Sequence, residues 1–452
     1  MRLFYLFISL GFIICSIRAQ SLTHREDEVD LYPDLKAQVQ DILQEGISAE
    51  AFPGGQLLVA HRGEIILHET AGHHTYQAQR PVQRTDIYDL ASITKASSAL
   101  LVLMQQYGQG QLNLDQSLGA LFPQLANSNK ADISLRAALA HYGRLRPWVP
   151  YWQGAIRGNA RYPWRKRWDP QTINNGRYRS RTLQTRGSTK YPLQLTENLW
   201  LHRQFRERVI YRIIRKSPLQ EKAEYRYSGL LFYLLPDYVE RSMRLSSPVA
   251  TTVDELNYRS YLRREFYDPL GAHTLGYRPL DRGFSLDQIV PTERDTFFRM
   301  QLLHGVVHDE GAAMMDGISA NAGLFSNAED LAKLWQMLLQ GGVYDGRRYL
   351  EESAIREFSR VQYPEAENRR GLGFDKPLLV YSADASSVAE TASPDSFGHS
   401  GYTGTLVWAD PEHEILFIFL SNRVHPSRNN RAIYELSIRP RIMTAVYDTL
   451  LN

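Results

Sequence analysis

Cysteine is almost absent from this chain, since the only one among 452 residues is Cys15, which lies in an apolar run at the N-terminus. If that segment is removed, no thiol remains, and neither disulfide bonds nor thiol chemistry can act in the protein. Stability must then come from packing alone. A hydrophobic content of 43% and an aromatic content of 11% support a sizeable core in a chain of this length.

The N-terminus, residues 1–19, has the pattern of a secretory signal peptide. Arg2 is followed by an apolar run over residues 3–17, and the small residue Ala19 stands at the predicted cleavage position. The expected location is therefore periplasmic or secreted, with membrane contact only through this segment if it stays uncleaved. The apolar run is short for a membrane span. The bulky pair Ile13-Ile14 before Cys15 disfavours a lipoprotein signal.

Several catalytic signatures are also missing. The sequence contains no G-x-S-x-G, no P-loop and no dinucleotide-binding fingerprint. His73 follows His68-Glu69 one residue too late for the H-E-x-x-H zinc pair. These absences argue against α/β-hydrolases, nucleotide-dependent enzymes and zinc proteases, and the sequence predicts neither a metal nor a cofactor.

The formal net charge is only +3, but the basic residues are concentrated in one stretch. From residue 144 to residue 216 there are 18 Lys and Arg against three Asp and Glu. Tryptophans and prolines without a sustained period indicate a basic, aromatic insertion over 145–216, with little regular structure before residue 200. We expect it either to attract anions as a wall or lid over a cleft, or to pair with acidic patches elsewhere. Nucleic acid is not an expected partner of a secreted chain.

Ser92 and Lys95 form the most informative pair in the chain. After Ser92 the sequence is apolar or small on every side over 96–104, which predicts one buried helix beginning at this serine. Residues three apart lie on the same helix face, so a base is placed beside a nucleophile. The helix N-terminus adds free N–H groups and partial positive charge, which favour a developing oxyanion. This is the only S-x-x-K in the chain.

The order of predicted elements indicates the fold class. Hairpins are expected near both chain ends, over 54–70 and 397–422. Helices are expected over 32–45, 135–141, 201–216 and 438–450, and a further helix is expected after a capping box at 326–329. Asp132 is the expected cap of the helix over 135–141. We therefore predict an α/β protein of the α+β type, with an antiparallel sheet built from both chain ends, flanking helices and an inserted, mostly helical domain. The predicted domains are a sheet domain over 30–88 and 310–452, and a helical domain over 89–309 that contains the insertion.

Three motifs occur in a fixed order, namely Ser92-x-x-Lys95, a Tyr-Ser turn at Tyr227, and His399-x-Gly401 on a late strand. Together they resemble the serine β-lactamase and penicillin-binding-protein superfamily, with its β-lactamase/transpeptidase-like fold. Longer strings at 88–95, 321–333 and 398–405 look like class C-like periplasmic serine hydrolases of the Bacteroidetes type.

The resemblance implies a serine hydrolase that forms an acyl-enzyme on an amide or ester, with a cell-wall-derived peptide or related small molecule as substrate. Ser92 would attack the carbonyl, and Lys95 would hold or accept its proton. Tyr227 would relay the proton to the leaving group. His399 stands where many relatives have lysine, and it would tune the tyrosine by hydrogen bonding.

Three further positions are implied to bind substrate. The backbone N–H groups of Ser92 and Tyr402 would form the oxyanion hole, with Gly401 in the same turn. Gly229 departs from the pattern, because relatives usually carry Asn or Asp there, in contact with the lysine and the substrate amide. Either that hydrogen bond is supplied elsewhere, or Lys95 is less well held. The alternative function is therefore a weak or inactive family member that binds cell-wall fragments.

Overall fold

The computed structural model describes residues 21–24, 32–169, 174, 176–246 and 257–451. The predicted signal peptide at residues 1–19 lies outside these residues. Within them the α-helices, numbered in chain order, are α1 (Pro33–Ser48), α2 (Ile93–Ser97), α3 (Ala99–Gly108), α4 (Leu118–Leu121), α5 (Leu135–Leu139), α6 (Arg212–Lys216), α7 (Leu235–Ser246), α8 (Tyr258–Leu262), α9 (Glu310–Ala313), α10 (Ala328–Leu339), α11 (Glu352–Ser359), α12 (Ala432–Glu435) and α13 (Ile438–Leu451). None of the helices in the described part of the chain is both long and apolar enough to cross a bilayer.

Shorter helical segments complete the helical part of the fold. Two π-helical segments are Arg206–Tyr211 and Arg263–Tyr267. The 3₁₀ turns are Pro123–Leu125, Tyr151–Ala155, Leu231–Tyr233, Pro279–Arg282, Leu286–Gln288 and Pro364–Ala366.

The strands, also in chain order, are β1 (Thr23–His24), β2 (Gly54–His61), β3 (Glu64–Gly72), β4 (Tyr88–Asp89), β5 (Leu183–Gln184), β6 (Leu193–Thr196), β7 (Leu199–Leu201), β8 (Gly276–Tyr277), β9 (Leu324–Ser326), β10 (Val343–Tyr344), β11 (Arg347–Arg348), β12 (Phe397–Ser400), β13 (Leu406–Asp410) and β14 (Ile415–Ser421). The main sheet has the order β1-β3-β2-β14-β13-β12. Its pairs are antiparallel except β1 with β3. The predicted sheet built from both chain ends is therefore confirmed.

Local sequence explains both hairpins of this sheet. Arg62 and Gly63 join β2 to β3 with φ angles of +52° and +81°, as the two-residue turn that best fits strand twist requires. The second predicted hairpin contains three strands instead of two, because residues 401–405 interrupt it between β12 and β13. That turn carries Tyr402.

Both faces of the main sheet are covered, which explains why every residue of β14 is buried. Alternate residues such as Phe417 and Phe419 face α1 and α13. Their neighbours, such as Leu416 and Ile418, face a larger core that contains α3 and α10. Each large apolar side chain buried in this way contributes about 1.5–3 kcal/mol to the stability of the fold. The division of the chain into the two predicted domains stays a prediction.

The buried helix predicted to run without interruption from Ser92 is in fact two helices. Ser98 separates α2 from α3, with φ −136° and ψ −105°. Its hydroxyl donates to the carbonyl of Thr94 at 2.5 Å, and the carbonyl of Ser97 accepts from the hydroxyl of Tyr267 at 2.7 Å. These bonds compete with the helical ladder. The apolar run thus predicted the burial but not the break.

Other helix boundaries also differ from the predicted ones, again because of local contacts. Asn327, and not Ser326, caps α10, because Ser326 pairs with Tyr88 across β9 and β4. Ser134 caps α5 in place of the predicted Asp132. The helical segment predicted over 201–216 begins at Arg206, since residues 199–201 form β7. Within the insertion, β5, β7 and β6 also make a small sheet that the sequence did not predict.

Candidate active site

Ser92 lies at the junction of β4 and α2, immediately after a strained turn. Ala91 has a φ of +46°, which costs a non-glycine residue about 1–3 kcal/mol. The carboxylate of Asp89 accepts from the N–H of Ala91 at 2.8 Å and from the N–H of His308 at 2.6 Å. Burial raises the pKa of Asp89, although these two donors act against the rise. Asp89 therefore fixes the turn that presents the serine, a role the sequence did not reveal.

The hydroxyl of Ser92 contacts both residues predicted to carry its proton. Lys95 Nζ donates to Ser92 Oγ at 2.9 Å, and the hydroxyl of Tyr227 donates to the same atom at 3.0 Å. Lys95 is only 1% exposed and also donates to the carbonyl of Asn321 at 2.9 Å. Among the described residues no carboxylate pairs with this amine. The structure thus brings three of the predicted site residues together.

Tyr227 lies in an irregular segment that is fixed on both sides of the tyrosine. The N–H of Arg226 donates to the carbonyl of His141 at 2.9 Å, and the N–H of Ser228 donates to His141 Nδ1 at 3.2 Å. The His141 and Tyr227 rings are 4.6 Å apart. Burial, then the charges of Arg370 and Lys95, lower the pKa of His141 well below its ordinary value. A neutral His141 therefore supports the tyrosine from behind.

His399 lies on β12 beside this group, but its hydrogen bonds differ from the expected ones. Its Nδ1 donates to the carbonyl of Ser400 at 2.7 Å, so its Nε2 carries the lone pair and meets Arg370 Nη2 at 3.4 Å. Burial, then Arg370 and Lys95, lower the pKa of His399 to about 3. Its ring is 6.1 Å from that of Tyr227, and no hydrogen bond among the described residues joins the two side chains.

Arg370 is a second residue that the sequence did not reveal. Its buried guanidinium lies 5.6 Å from the centre of the Tyr227 ring. Asp375 pairs with it at 2.9 Å and holds it in place. Arg370 thus lies between His399 and Tyr227, and it contacts both.

The turn after β12 packs against the start of α2, as the oxyanion-hole prediction requires. A Cβ atom at Gly401 would overlap the carbonyl oxygen of Leu90, so only glycine fits there. Thr403 Oγ1 donates to the carbonyl of Asp89 at 2.8 Å. Within the described residues, the backbone N–H groups of Ser92 and Tyr402 have no acceptor. Both groups are therefore available to an oxyanion.

Tyr402 lies at the rim of the site with its side chain 48% exposed. Arg423 lies over its ring at 4.6 Å, and the ring of His308 is 5.8 Å away. The tyrosine side chain is therefore both held by neighbours and open to a ligand.

Gly229 lies against Asn321, whose backbone carbonyl accepts from Lys95. A Cβ atom at Gly229 would overlap Oδ1 of Asn321. The Asn321 carboxamide thus fills the space that a side chain at residue 229 would take, and its Nδ2 donates to the hydroxyl of Tyr233 at 3.1 Å. Its backbone carbonyl holds Lys95. The contact with the lysine is therefore supplied from another part of the chain.

Behind the rim, His308 belongs to a buried polar cluster with Glu293, Glu310 and Arg428. Arg428 contacts both carboxylates, and His308 Nε2 lies 2.9 Å from Glu293. Burial alone would raise the pKa of Glu293, but the hydrogen bonds from His308 and Arg428 outweigh it and lower the pKa to about 2. No group of three or more His, Cys, Asp or Glu in the described ranges is arranged to hold a metal ion.

Residues 39–439 match the family model described as Beta-lactamase, and the chain belongs to this family. The predicted relation to the serine β-lactamase and penicillin-binding-protein superfamily is therefore confirmed. The predicted enzyme class, a serine hydrolase of the β-lactamase-related family, is confirmed with it.

Among curated proteins, the chain is 31% identical over 254 residues to a Salmonella gallinarum protein named as a D-alanyl-D-alanine carboxypeptidase. The match covers 53% of this chain and 55% of that protein. The chain thus spans about half the length of the curated relatives it matches.

Two solved structures share the fold almost from end to end. A penicillin-binding protein homologue from Caulobacter crescentus has a TM-score of 0.59 at 18% identity, over 92% of this chain and 98% of its own. A hydrolase with promiscuous acyltransferase activity has a TM-score of 0.58 at 18% identity, over 92% and 99%. At these identities the likeness shows the fold alone.

Proposed function

We propose that this protein is a periplasmic serine hydrolase that acts through an acyl-enzyme at Ser92 on an amide or ester, with cell-wall-derived peptides as the favoured substrates. The observation that carries the proposal is the contact of Ser92 Oγ with Lys95 Nζ at 2.9 Å and with the Tyr227 hydroxyl at 3.0 Å. A serine hydroxyl becomes an effective nucleophile when an adjacent group takes its proton. Both candidate groups are within hydrogen-bond reach.

In the acylation step, Ser92 Oγ attacks the substrate carbonyl carbon while Lys95 acts as the general base that takes the hydroxyl proton. The new C–O bond forms as the carbonyl π electrons move onto oxygen. The N–H groups of Ser92 and Tyr402 bind this oxyanion. When the tetrahedral intermediate collapses, the bond to the leaving group breaks and the leaving group takes a proton from Tyr227. The Lys95 ammonium then returns a proton to the tyrosine oxygen.

Deacylation repeats these transfers with water as the nucleophile. Water attacks the acyl carbon and its proton passes to Lys95. The bond from that carbon to Ser92 Oγ then breaks, Oγ takes a proton from the Tyr227 hydroxyl, and the Lys95 ammonium reprotonates the tyrosine. Arg370 supports both steps, because its charge, 5.6 Å from the Tyr227 ring, favours negative charge that develops as the tyrosine proton leaves. His399 contributes no charge of its own, and it orients Arg370 through Nε2.

Two observations support the substrate class and location. The relatives at 31% identity are named as D-alanyl-D-alanine carboxypeptidases, which supports a peptide substrate from the cell wall. The signal-peptide pattern at residues 1–19 supports export to the periplasm.

Intact-mass spectrometry after incubation with a fluorophosphonate, and separately with penicillin, tests this proposal without a known substrate. We expect one adduct on the wild-type protein, located on the peptide that contains Ser92, and none on Ser92→Ala. Ser134→Ala is the matched control, because Ser134 also caps a helix but has no lysine at its hydroxyl. This variant should be labelled like the wild type.

Two outcomes would contradict the proposal. An adduct on another serine, or undiminished labelling of Ser92→Ala, would remove Ser92 from the mechanism. Reversible penicillin binding without any mass shift, together with no labelling by the fluorophosphonate, would identify a binding protein in place of an enzyme.

A further inference from the structure

The basic insertion contains an open groove of about 910 Å³ that is distinct from the site around Ser92. Five of its lining residues are cations and one is an anion, namely Arg161, Arg208, Arg212, Arg215, Lys216 and Glu207. None of the residues placed around Ser92 lines this basic groove. It is therefore a positively charged surface separate from the catalytic residues.

The segment 206–216 explains how the cations come to share one surface. Its apolar residues, Val209, Ile210, Ile213 and Ile214, are buried in the core, whereas Arg208, Arg212, Arg215 and Lys216 are exposed. Helical periodicity thus separates an apolar face from a basic one. Because the apolar face is already buried in protein, the segment has none to insert into a membrane, as an interfacial amphipathic helix does.

Two aromatic rings hold some of these cations in place. Tyr162 and Trp164 stack with centroids 4.8 Å apart and planes 6° from parallel. The guanidinium of Arg212 lies 5.0 Å from the centre of the Tyr162 ring, and Lys216 Nζ lies 5.5 Å from the centre of the Trp164 ring. The two cations are thus ordered before any ligand arrives.

None of the five cations that line the basic groove forms an ion pair within the described residues. Across the described part of the insertion, the only ion pair of a Lys or Arg from 144–216 joins Arg206 to Glu207. Arg212 and Lys216 are four residues apart in α6, where like charges on a helix repel, and Arg208 precedes them in the π-helical segment. The expectation that the basic residues pair with acidic patches elsewhere is therefore wrong for this row. A bound polyanion would relieve the repulsion.

We propose that the basic groove binds a polyanionic glycan, whose successive acidic groups face the row Arg208, Arg212 and Lys216. This row presents three exposed cations in succession along the segment 206–216, which fits several charged groups in sequence better than one small anion. Surfaces for single-stranded nucleic acid offer free aromatic faces on which bases stack. Here Tyr162 and Trp164 stack on each other and carry cations over their rings, so a glycan is the better fit. Such binding would hold the hydrolase on an acidic polymer while Ser92 stays free.

Calorimetric titration of the full chain with dextran sulfate, at several salt concentrations, tests this proposal. We expect dextran sulfate to bind, neutral dextran of the same length not to bind, and a single-stranded oligodeoxynucleotide to bind at least about tenfold more weakly. Arg212→Ala/Lys216→Ala should weaken dextran sulfate binding at least about tenfold and reduce the slope of log K against log salt by roughly two, because two cations no longer displace counterions.

The matched control is Arg181→Ala/Arg186→Ala, which removes two exposed cations of the same insertion from outside the groove. It should bind dextran sulfate within about threefold of the wild type. Equal losses of dextran sulfate affinity in the two double variants would show diffuse electrostatic attraction and would overturn the groove as a binding site. Absence of dextran sulfate binding by the wild type at low salt would overturn it as well. Tighter binding of the oligonucleotide through Arg212 and Lys216 would assign the groove to nucleic acid instead. Because the variants leave the Ser92 site intact, their labelling by a fluorophosphonate should stay unchanged whichever result is obtained.

Discussion

The side chain of Asn321 occupies the space that a side chain at residue 229 would need, and the backbone carbonyl of the same asparagine holds Lys95 at 2.9 Å. Gly229 and Asn321 are therefore a matched pair. The position of Lys95 depends on a residue that approaches from a distant part of the chain.

Gly229→Ala should lower kcat/KM for an activated ester by at least about tenfold, because its Cβ would overlap Oδ1 of Asn321 and push the carboxamide of the residue whose backbone carbonyl positions Lys95. Gly229→Asn should also lose activity, although the resemblance taken alone favours a gain. The control is Gly229→Ala/Asn321→Ala, which removes Oδ1 but keeps the backbone carbonyl. We expect kcat/KM to recover partially in this double variant. If the losses of the two single variants simply add, the steric overlap is contradicted.

Lys95→Ala and Tyr227→Phe should each reduce turnover by at least roughly a hundredfold, the usual effect of losing an acid–base group. Each side chain lies within hydrogen-bond distance of Ser92 Oγ. Steady-state kinetics with one ester substrate would measure both losses. The exposed residues Lys190 and Tyr381 provide the controls Lys190→Ala and Tyr381→Phe, which should keep wild-type rates. A fully active Lys95→Ala would exclude the lysine from proton transfer.

His399 should stay neutral over the whole working range of the enzyme, because burial, followed by Arg370 and Lys95, lowers its pKa to about 3. Nitrogen-15 NMR of the imidazole should show the Nδ1–H tautomer from about pH 5 to pH 9. Arg370→Gln removes a positive neighbour and should raise the pKa of His399. A protonated ring in the wild-type protein at about pH 6 would contradict the burial and hydrogen bonding described here.

Glu293 should make the stability of the fold sensitive to acid. Its pKa is lowered from 4.5 to about 2, so its contribution to the free energy of unfolding is complete above pH 4.5 and is lost as the pH falls toward 2. Urea unfolding should therefore show Glu293→Gln to be clearly less stable than the wild type at neutral pH and closer to it in acid. Glu390→Gln, at an exposed glutamate, should follow the wild type throughout. If the free energies of unfolding of Glu293→Gln and the wild type differ by the same amount at all pH values, this dependence on Glu293 is refuted.

The main sheet was predictable because its strands carry strong local signals. All seven residues of β14 are buried, and a continuous apolar run between polar turns is typical of a central strand. The Ser92–Lys95 pair was predictable for an equally local reason, since a three-residue spacing on a helix fixes a shared face.

The remaining site residues depend on contacts that no local pattern encodes. Asn321 meets Lys95 across 226 positions of sequence, and Arg370 reaches His399 across 29 positions from a segment without helical or strand periodicity. The break at Ser98 likewise depends on a bond from Tyr267 to the neighbouring carbonyl. Such features follow from tertiary structure, so propensity and spacing could not predict them.

The pairing of β2 with β14 also determines when during biosynthesis the protein can become active. Gly55 pairs with Ser421, so this part of the sheet cannot form until residue 421 has been made. Contacts this distant in sequence slow folding, because the loop between them must be closed before they form. Ser92 leaves the ribosome early, at elongation rates of about 5–20 residues per second, long before the turn that carries Tyr402. A nascent or truncated chain therefore contains Ser92 without the turn that packs beside it, and the proposed site is complete only when the late strands dock.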